Sequence, residues 1–213
     1  MARSSVAGAG AGRVALSALG VTVAWGLVPL SSGEADVDRM RRRRVAWELV
    51  RREARALGAG ADLVLDNPCP RCGGPHGPVR VRDSAGAESV RASIAYAGGF
   101  AVVAVAPADR VALLGIDAEH VDAAGPGSLD RVRPGDPAQV VPRDATRDWV
   151  RAEAALKAWG SGIRVDPALV ALTPATPDSG WTARLTDAGT PLEVFDLEGP
   201  SELVIALACD RAA

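Results

Sequence analysis

The spacing of apolar residues changes several times along the chain, and each change marks an element. Between Gly20 and Gly26 apolar side chains partly alternate with small or polar ones, the period of a strand. In DVDRMRRRRVAWELVRREARAL, residues 36–57, Met40, Trp47, Val50, Ala54 and Leu57 recur at helical spacing. That predicts a helix with one apolar stripe and arginine over much of the rest. From residue 88 the pattern becomes strand-like: ESVRASIAYAG, then FAVVAVAP (100–107), then VALLGIDAE (111–119). Only ADR separates the last two, which predicts a hairpin. A second helix is predicted over RDWVRAEAALKAWGSG (147–162), capped by Asp144 or Thr146 and ended by Gly160 and Gly162. Short strands are expected around 168–172, 181–186, 191–196 and 202–209.

Proline and glycine punctuate the rest. NPCPRCGGPHG (67–77) and GPGSLDRVRPGDPAQVVP (125–142) read as loops, and PLSSGEAD as a turn leading into the first helix. AGAGAGR (7–13) has the glycines of a phosphate loop but follows no predicted strand, so residues 1–18 are expected to be a flexible tail. Arg3 followed by VALSALGVTVAWGLVPL (14–30) admits a secretory-signal reading. The strand-like alternation and the direct run into a helix favour a mature segment. No uninterrupted apolar run approaches the ~18 residues of a membrane span. Each half thus runs strand, long helix, strands. The fold expected is α+β, in two similar lobes (1–99 and 100–213) related by a pseudo-two-fold axis, each a small sheet on a long helix.

Composition narrows the function. The 213 residues are 48% hydrophobic and 23% charged, with a net charge of −2. That is ample material for a core, and it gives no reason to expect general nucleic-acid or membrane attraction. Three cysteines are too few for a disulfide framework, so a reducing, cytoplasmic setting is expected. Positive charge is carried by arginine throughout, except at Lys157, the chain's only lysine.

Four clusters carry candidate chemistry. Asp117 and Glu119 stand two apart at the end of an apolar strand, so their carboxylates share a face. Such a pair repels unless a cation intervenes, and oxygen ligands suit Mg²⁺ better than zinc. Read without a cation, they are solvated strand-end acids. Glu153 and Lys157 are an i, i+4 pair on one helix face, either a surface salt bridge or a site facing a cleft. In a cleft, Glu153 would complete a metal shell or take a proton, and Lys157 would meet a phosphate oxygen. Arginine could bind phosphate there but could not hand over a proton. The run RRRR (41–44) reads as a solvated face or as an anion-binding wall. Cys69, Cys72 and His76 are three quarters of a zinc site, or simply part of a Gly/Pro loop.

GIDAE followed by WVRAEAALKAWGSGI resembles the two signature motifs of the Sfp-type (surfactin-synthetase-activating) 4′-phosphopantetheinyl transferases. Their patterns are G-[IV]-D-x-E and W-x-x-K-E-[AS]-x-x-K-x-x-G. Gly115, Asp117, Glu119, Trp149, Glu153, Lys157 and Gly160 fit, and Ala152 replaces the lysine before the glutamate. LSSGEADVDRMRRRR and CPRCGGPHG are weaker likenesses, the second to a loop of actinobacterial members. The resemblance implies coenzyme A in a cleft between the lobes, Mg²⁺ on Asp117, Glu119 and Glu153, and Glu153 and Lys157 as catalytic residues. It implies transfer of phosphopantetheine to a serine of an acyl or peptidyl carrier protein, serving a polyketide, peptide or fatty-acid synthase, by a monomer. Arg43, Arg44, Arg80, Tyr96 and Lys157 are the residues expected to touch CoA, with Arg82 an alternative to Arg80. The chain departs from the family at Ala95 and Tyr96, where Ser-His is usual, at Pro78 in place of a base, and at Glu48 where many members have arginine. These departures imply an alternative, a repurposed homologue binding a carrier domain or another nucleotide.

Overall fold

The computed structural model describes residues 3–7, 10–29, 35–122, 142–175, 180–185 and 190–210. The fold is α+β, with two antiparallel sheets and two α-helices among these residues. The first sheet contains β1 (Arg3–Ala7), β2 (Ala11–Leu16), β3 (Val21–Leu27), β4 (Val64–Asp66), β5 (Arg80–Arg82), β6 (Val90–Ala97) and β7 (Phe100–Pro107), in the order β1-β2-β3-β7-β6-β5-β4. The second contains β8 (Leu114–His120), β9 (Val170–Pro174), β10 (Trp181–Leu185), β11 (Leu192–Leu197) and β12 (Leu203–Cys209), in the order β8-β12-β11-β10-β9. Helix α1 spans Ala35–Ala56 and α2 spans Pro142–Ala158.

The layers follow from the apolar pattern. Along β7, Phe100, Val102, Ala104 and Ala106 join a core shared with Leu114, Ile116 and Ala118 of β8 and with Leu203, Ile205 and Leu207 of β12. The intervening Ala101, Val103 and Val105 pack with Ala46, Leu49, Val50 and Ala54 of α1. In β12, Val204, Ala206 and Ala208 likewise pack with Val150, Ala154 and Ala155 of α2. Strands buried on both faces lose their alternation, which is why FAVVAVAP and LVIALAC read as continuous apolar runs. The order of layers is therefore helix, sheet, sheet, helix. Between the sheets, Ser93 Oγ on β6 accepts the Ile116 N–H of β8 at 3.1 Å.

Several expectations are corrected here. Residues 3–7 and 11–16 pair as a hairpin rather than trailing as a flexible tail through residue 18. Residues 14–29 supply the buried positions Val14, Val21, Val23 and Trp25. The change of sheet falls after β7, not at residue 100, because β7 pairs with both β3 and β6. β7 and β8 form no hairpin: β8 pairs with β12, and Asp210 Oδ1 anchors the intervening linker by accepting the Ala112 and Leu113 N–H groups. The buried stripe of α1 is Ala46, Leu49, Val50, Glu53 and Ala54, and Met40 is 64% exposed. Glu53, buried in that stripe, is held by Arg52 at 2.7 Å and Arg13 at 3.5 Å. Helix α2 starts at Pro142, so Thr146 lies within it rather than capping it. The predicted loop 125–142 falls almost wholly outside the described residues, and the predicted turn at 29–36 largely so. Among the described residues, no helix is long and apolar enough to cross a membrane.

Candidate functional site: a carboxylate cluster with one lysine

Strand β8 alternates its side chains between two surfaces. Leu114, Ile116 and Ala118 enter the inter-sheet core, leaving Gly115, Asp117 and Glu119 on the side of α2. Gly115 lies so close to the helix that an added Cβ would overlap Ala154 O and Ala158 N. Only glycine permits this approach, and it presses the strand carrying the acids against the helix carrying Glu153 and Lys157. Arg151 fixes the opposite side of α2, hydrogen-bonded to Asp148 and Asp196 and stacked over Trp181 at 4.1 Å.

The two sequence motifs meet at Lys157 Nζ, which donates to Asp117 Oδ1 at 2.6 Å. The lysine thus reaches across to the strand, where the sequence reading paired it with Glu153 on its own helix. Asp117 is buried, and its Oδ2 has no hydrogen-bond partner. Burial pushes the Asp117 carboxyl above its ordinary range, against the opposing pull of Lys157. Glu119 and Glu153 are raised too, first by burial and then by repulsion from Asp117. Three acids that mutually resist ionisation, one with an orphaned buried oxygen, form a donor set suited to a hard divalent cation. They are not drawn tightly together: the three do not all bring ligand oxygens within 4.8 Å of one another.

Lys157 opens onto a cavity of about 850 Å³ lined also by Cys69, Cys72, His76, Ser93, Ile94 and Arg164. A second cavity, of about 700 Å³, is lined by Arg39, Arg42, Arg43, Trp47 and Tyr96. Both share His76, Gly77, Val79 and Ile94 as lining, so they adjoin. Each has a volume in the range of small-molecule sites.

The expected CoA contacts divide between these surfaces. Arg43 lines the second cavity, donating to Asn67 Oδ1 at 2.7 Å and lying 4.3 Å over the Trp47 ring. Tyr96 lines it too, with its phenol held up by burial while Arg43 and Arg42 pull the other way. Arg44 does not: it is exposed and paired with Glu48 at 3.0 Å, and the two line a separate cavity of about 420 Å³ that shares Arg43 and Trp47 with the second. Arg80 is exposed on β5 and lines neither cavity, and Arg82 is paired with Asp66. Ala95 is buried in the inter-sheet core. The RRRR run divides the same way, with Arg41 and Arg44 solvated and Arg42 and Arg43 at the cavity.

Sequence reasoning named Arg42 only as part of the RRRR run and missed Arg39 and Arg164. Arg42 has a buried Nε without a partner, and it lies four residues before buried Ala46. Arg164 follows the helix in a 3₁₀ turn, where no periodicity signals its direction. A scan against protein-family models gives no match to this chain, and none of the curated proteins matches it.

Proposed function

We propose that this chain is a 4′-phosphopantetheinyl transferase of the Sfp type, moving the phosphopantetheine arm of coenzyme A onto a carrier-protein serine. The observation that carries the reading is the Lys157–Asp117 contact, which joins two motifs far apart in the sequence; Lys157, though none of the three acids, lines the 850 Å³ cavity that adjoins the arginine-lined one. On this reading the two helix-backed sheets are pseudo-two-fold-related lobes, and CoA lies in the cleft between them. Its phosphates face Arg42, Arg43 and Tyr96 at one end and Lys157 at the other. A single chain supplies the whole cleft, so the enzyme is a monomer.

The donor set fits magnesium through all-oxygen ligation and the unpartnered Asp117 Oδ2. Held by Asp117, Glu119 and Glu153, magnesium would neutralise charge on the pyrophosphate. Glu153 takes the proton of the carrier serine as its oxygen bonds to the phosphorus bearing the pantetheine arm. The bridging P–O bond breaks, and its electron pair leaves with 3′,5′-ADP. Lys157 donates a proton and positive charge to that leaving phosphate, which a fixed guanidinium does less well. Positioning and charge carry most of such a displacement.

A second reading, a repurposed homologue that binds a carrier domain or another nucleotide, is favoured by Ala95 and Tyr96. The first gives the cavity no hydrogen bond, and the second brings an aromatic without positive charge. Calorimetry separates the two. Submicromolar CoA binding that requires Mg²⁺ supports the transferase; weak CoA binding beside tight carrier or nucleotide binding supports the homologue.

A further inference from the structure

Outside the carboxylate site, one cluster has the chemistry of a soft-metal centre. Cys69, Cys72 and His76 bring their ligand atoms within 4.8 Å of one another, the one such group of three among the described residues. Cys72 Sγ lies 3.1 Å from a His76 ring nitrogen, Nε2. None of the three belongs to the magnesium and proton-transfer machinery described above.

Backbone hydrogen bonds hold the three residues in one tight loop. Gly73 N–H returns to Cys69 O at 2.8 Å, and Cys69 N–H donates to Gly74 O at 2.8 Å. Gly73 sits at φ +72°, the left-handed conformation needed to close the turn after the second cysteine. The base of the loop is cinched where Gly77 N–H donates to Asn67 O at 2.8 Å, and Asn67 Nδ2 donates to Pro75 O at 2.9 Å. The sequence here is Cys-Pro-Arg-Cys-Gly, so the chain itself supplies the short two-residue spacing of a knuckle.

We propose that Cys69, Cys72 and His76 bind one Zn²⁺ ion, with the fourth tetrahedral position open to water at the wall of the 850 Å³ cavity. Zinc bonds of about 2.3 Å to sulfur and 2.0–2.1 Å to nitrogen put tetrahedral ligands about 3.5–3.8 Å apart. Atoms already within 4.8 Å, one pair at 3.1 Å, stand within about 1 Å of that spacing. Two thiolates balance the dication, and sulfur with imidazole selects zinc over the hard ions that suit the carboxylates. His76 lines both cavities, so the ion pins the loop that forms their common wall. The site is independent of the transferase reading, because it rests on none of Asp117, Glu119, Glu153 or Lys157.

The test is elemental analysis of the full chain purified without chelator, followed by replacement of its metal with Co²⁺. One zinc per chain is expected, and the cobalt form should show strong tetrahedral bands in the visible with a thiolate charge-transfer band in the near ultraviolet. Cys69→Ser and Cys72→Ser should lose the zinc and the charge-transfer band, whereas Glu119→Gln should keep both. The unsubstituted chain's cobalt spectrum reads the site directly, so a variant that does not fold leaves the test intact. Zinc-free protein whose cobalt form lacks the thiolate band overturns the proposal. So does an intact mass showing a Cys69–Cys72 disulfide in anaerobically purified protein.

Discussion

Lys157 Nζ stands 2.6 Å from Asp117 Oδ1, although forty residues of sequence, including a whole predicted loop, separate them. The contact makes the only lysine a member of the acid cluster instead of a surface pair with Glu153. It also gives each of the acids a shared fate, since the charge state of one sets that of its neighbours.

Lys157→Arg keeps the positive charge and removes the transferable proton. The fold should persist, and turnover should fall by about 10²–10⁴-fold, the usual contribution of a positioned general acid. Steady-state kinetics beside a thermal melt checks this; undiminished turnover would mean that charge alone suffices.

Glu119 lies at the half-exposed end of β8, so its side chain does little for the core. Glu119→Ala should shift Tm by no more than ~2 °C. The Mg²⁺ concentration needed for half-maximal rate should rise on the order of tenfold or more. A large fall in Tm with unchanged Mg²⁺ dependence would assign Glu119 a structural role.

Gly115→Ala places a methyl group against Ala154 O and Ala158 N, backbone atoms that cannot rotate away. Overpacking of this kind costs about 1–3 kcal/mol, or roughly 3–10 °C in Tm for a chain of this size. Activity should fall further than stability, because α2 moves off the strand that carries Asp117. Wild-type melting and turnover in this variant would contradict the close packing.

The acid cluster also makes stability depend on pH. The native carboxyls of Asp117, Glu119 and Glu153 are raised above ordinary values of 3.8 for Asp and 4.5 for Glu. Between the ordinary and raised values the native state holds more protons than the unfolded chain, so the cluster's contribution to stability falls as pH rises. Without divalent ions, wild-type Tm should decline as pH rises above the ordinary carboxylate range, more steeply than that of Glu153→Gln. Added Mg²⁺ at neutral pH should raise Tm by mass action. Equal slopes in the two proteins would mean that neither burial nor Asp117 raises the Glu153 carboxyl.

Much of this site was legible in the sequence, and the reasons are local. The period of two in β8 placed Asp117 and Glu119 on one face, and the period of a helix placed Glu153 and Lys157 together. That strand and helix touch is a tertiary fact, visible beforehand only in the resemblance of the paired motifs. The strand positions after residue 165 were close, because turns and alternation bound them; β9 to β12 fall within a few residues of expectation. Sheet membership was not legible. FAVVAVAP and VALLGIDAE sit close enough for a hairpin, but both faces of β7 are buried between α1 and the second sheet, and β8 finds β12 instead. Of the predicted α1 stripe, Val50 and Ala54 are buried and Trp47 and Leu57 pack beside them, but Met40 is exposed, and Glu53, which a search for apolar spacing passes over, is buried. Arg44 and Arg80 line neither of the two adjoining cavities, which the sequence could not show: charge is visible in sequence, but its direction depends on what packs beneath it.

The most direct measurement is the intact mass of several apo carrier proteins incubated with the folded chain, CoA and Mg²⁺. A gain of one phosphopantetheine arm on a carrier serine, abolished by EDTA and by Glu153→Gln, is the predicted result. Carriers that all keep their apo mass beside a folded, Mg²⁺-loaded chain would contradict the account.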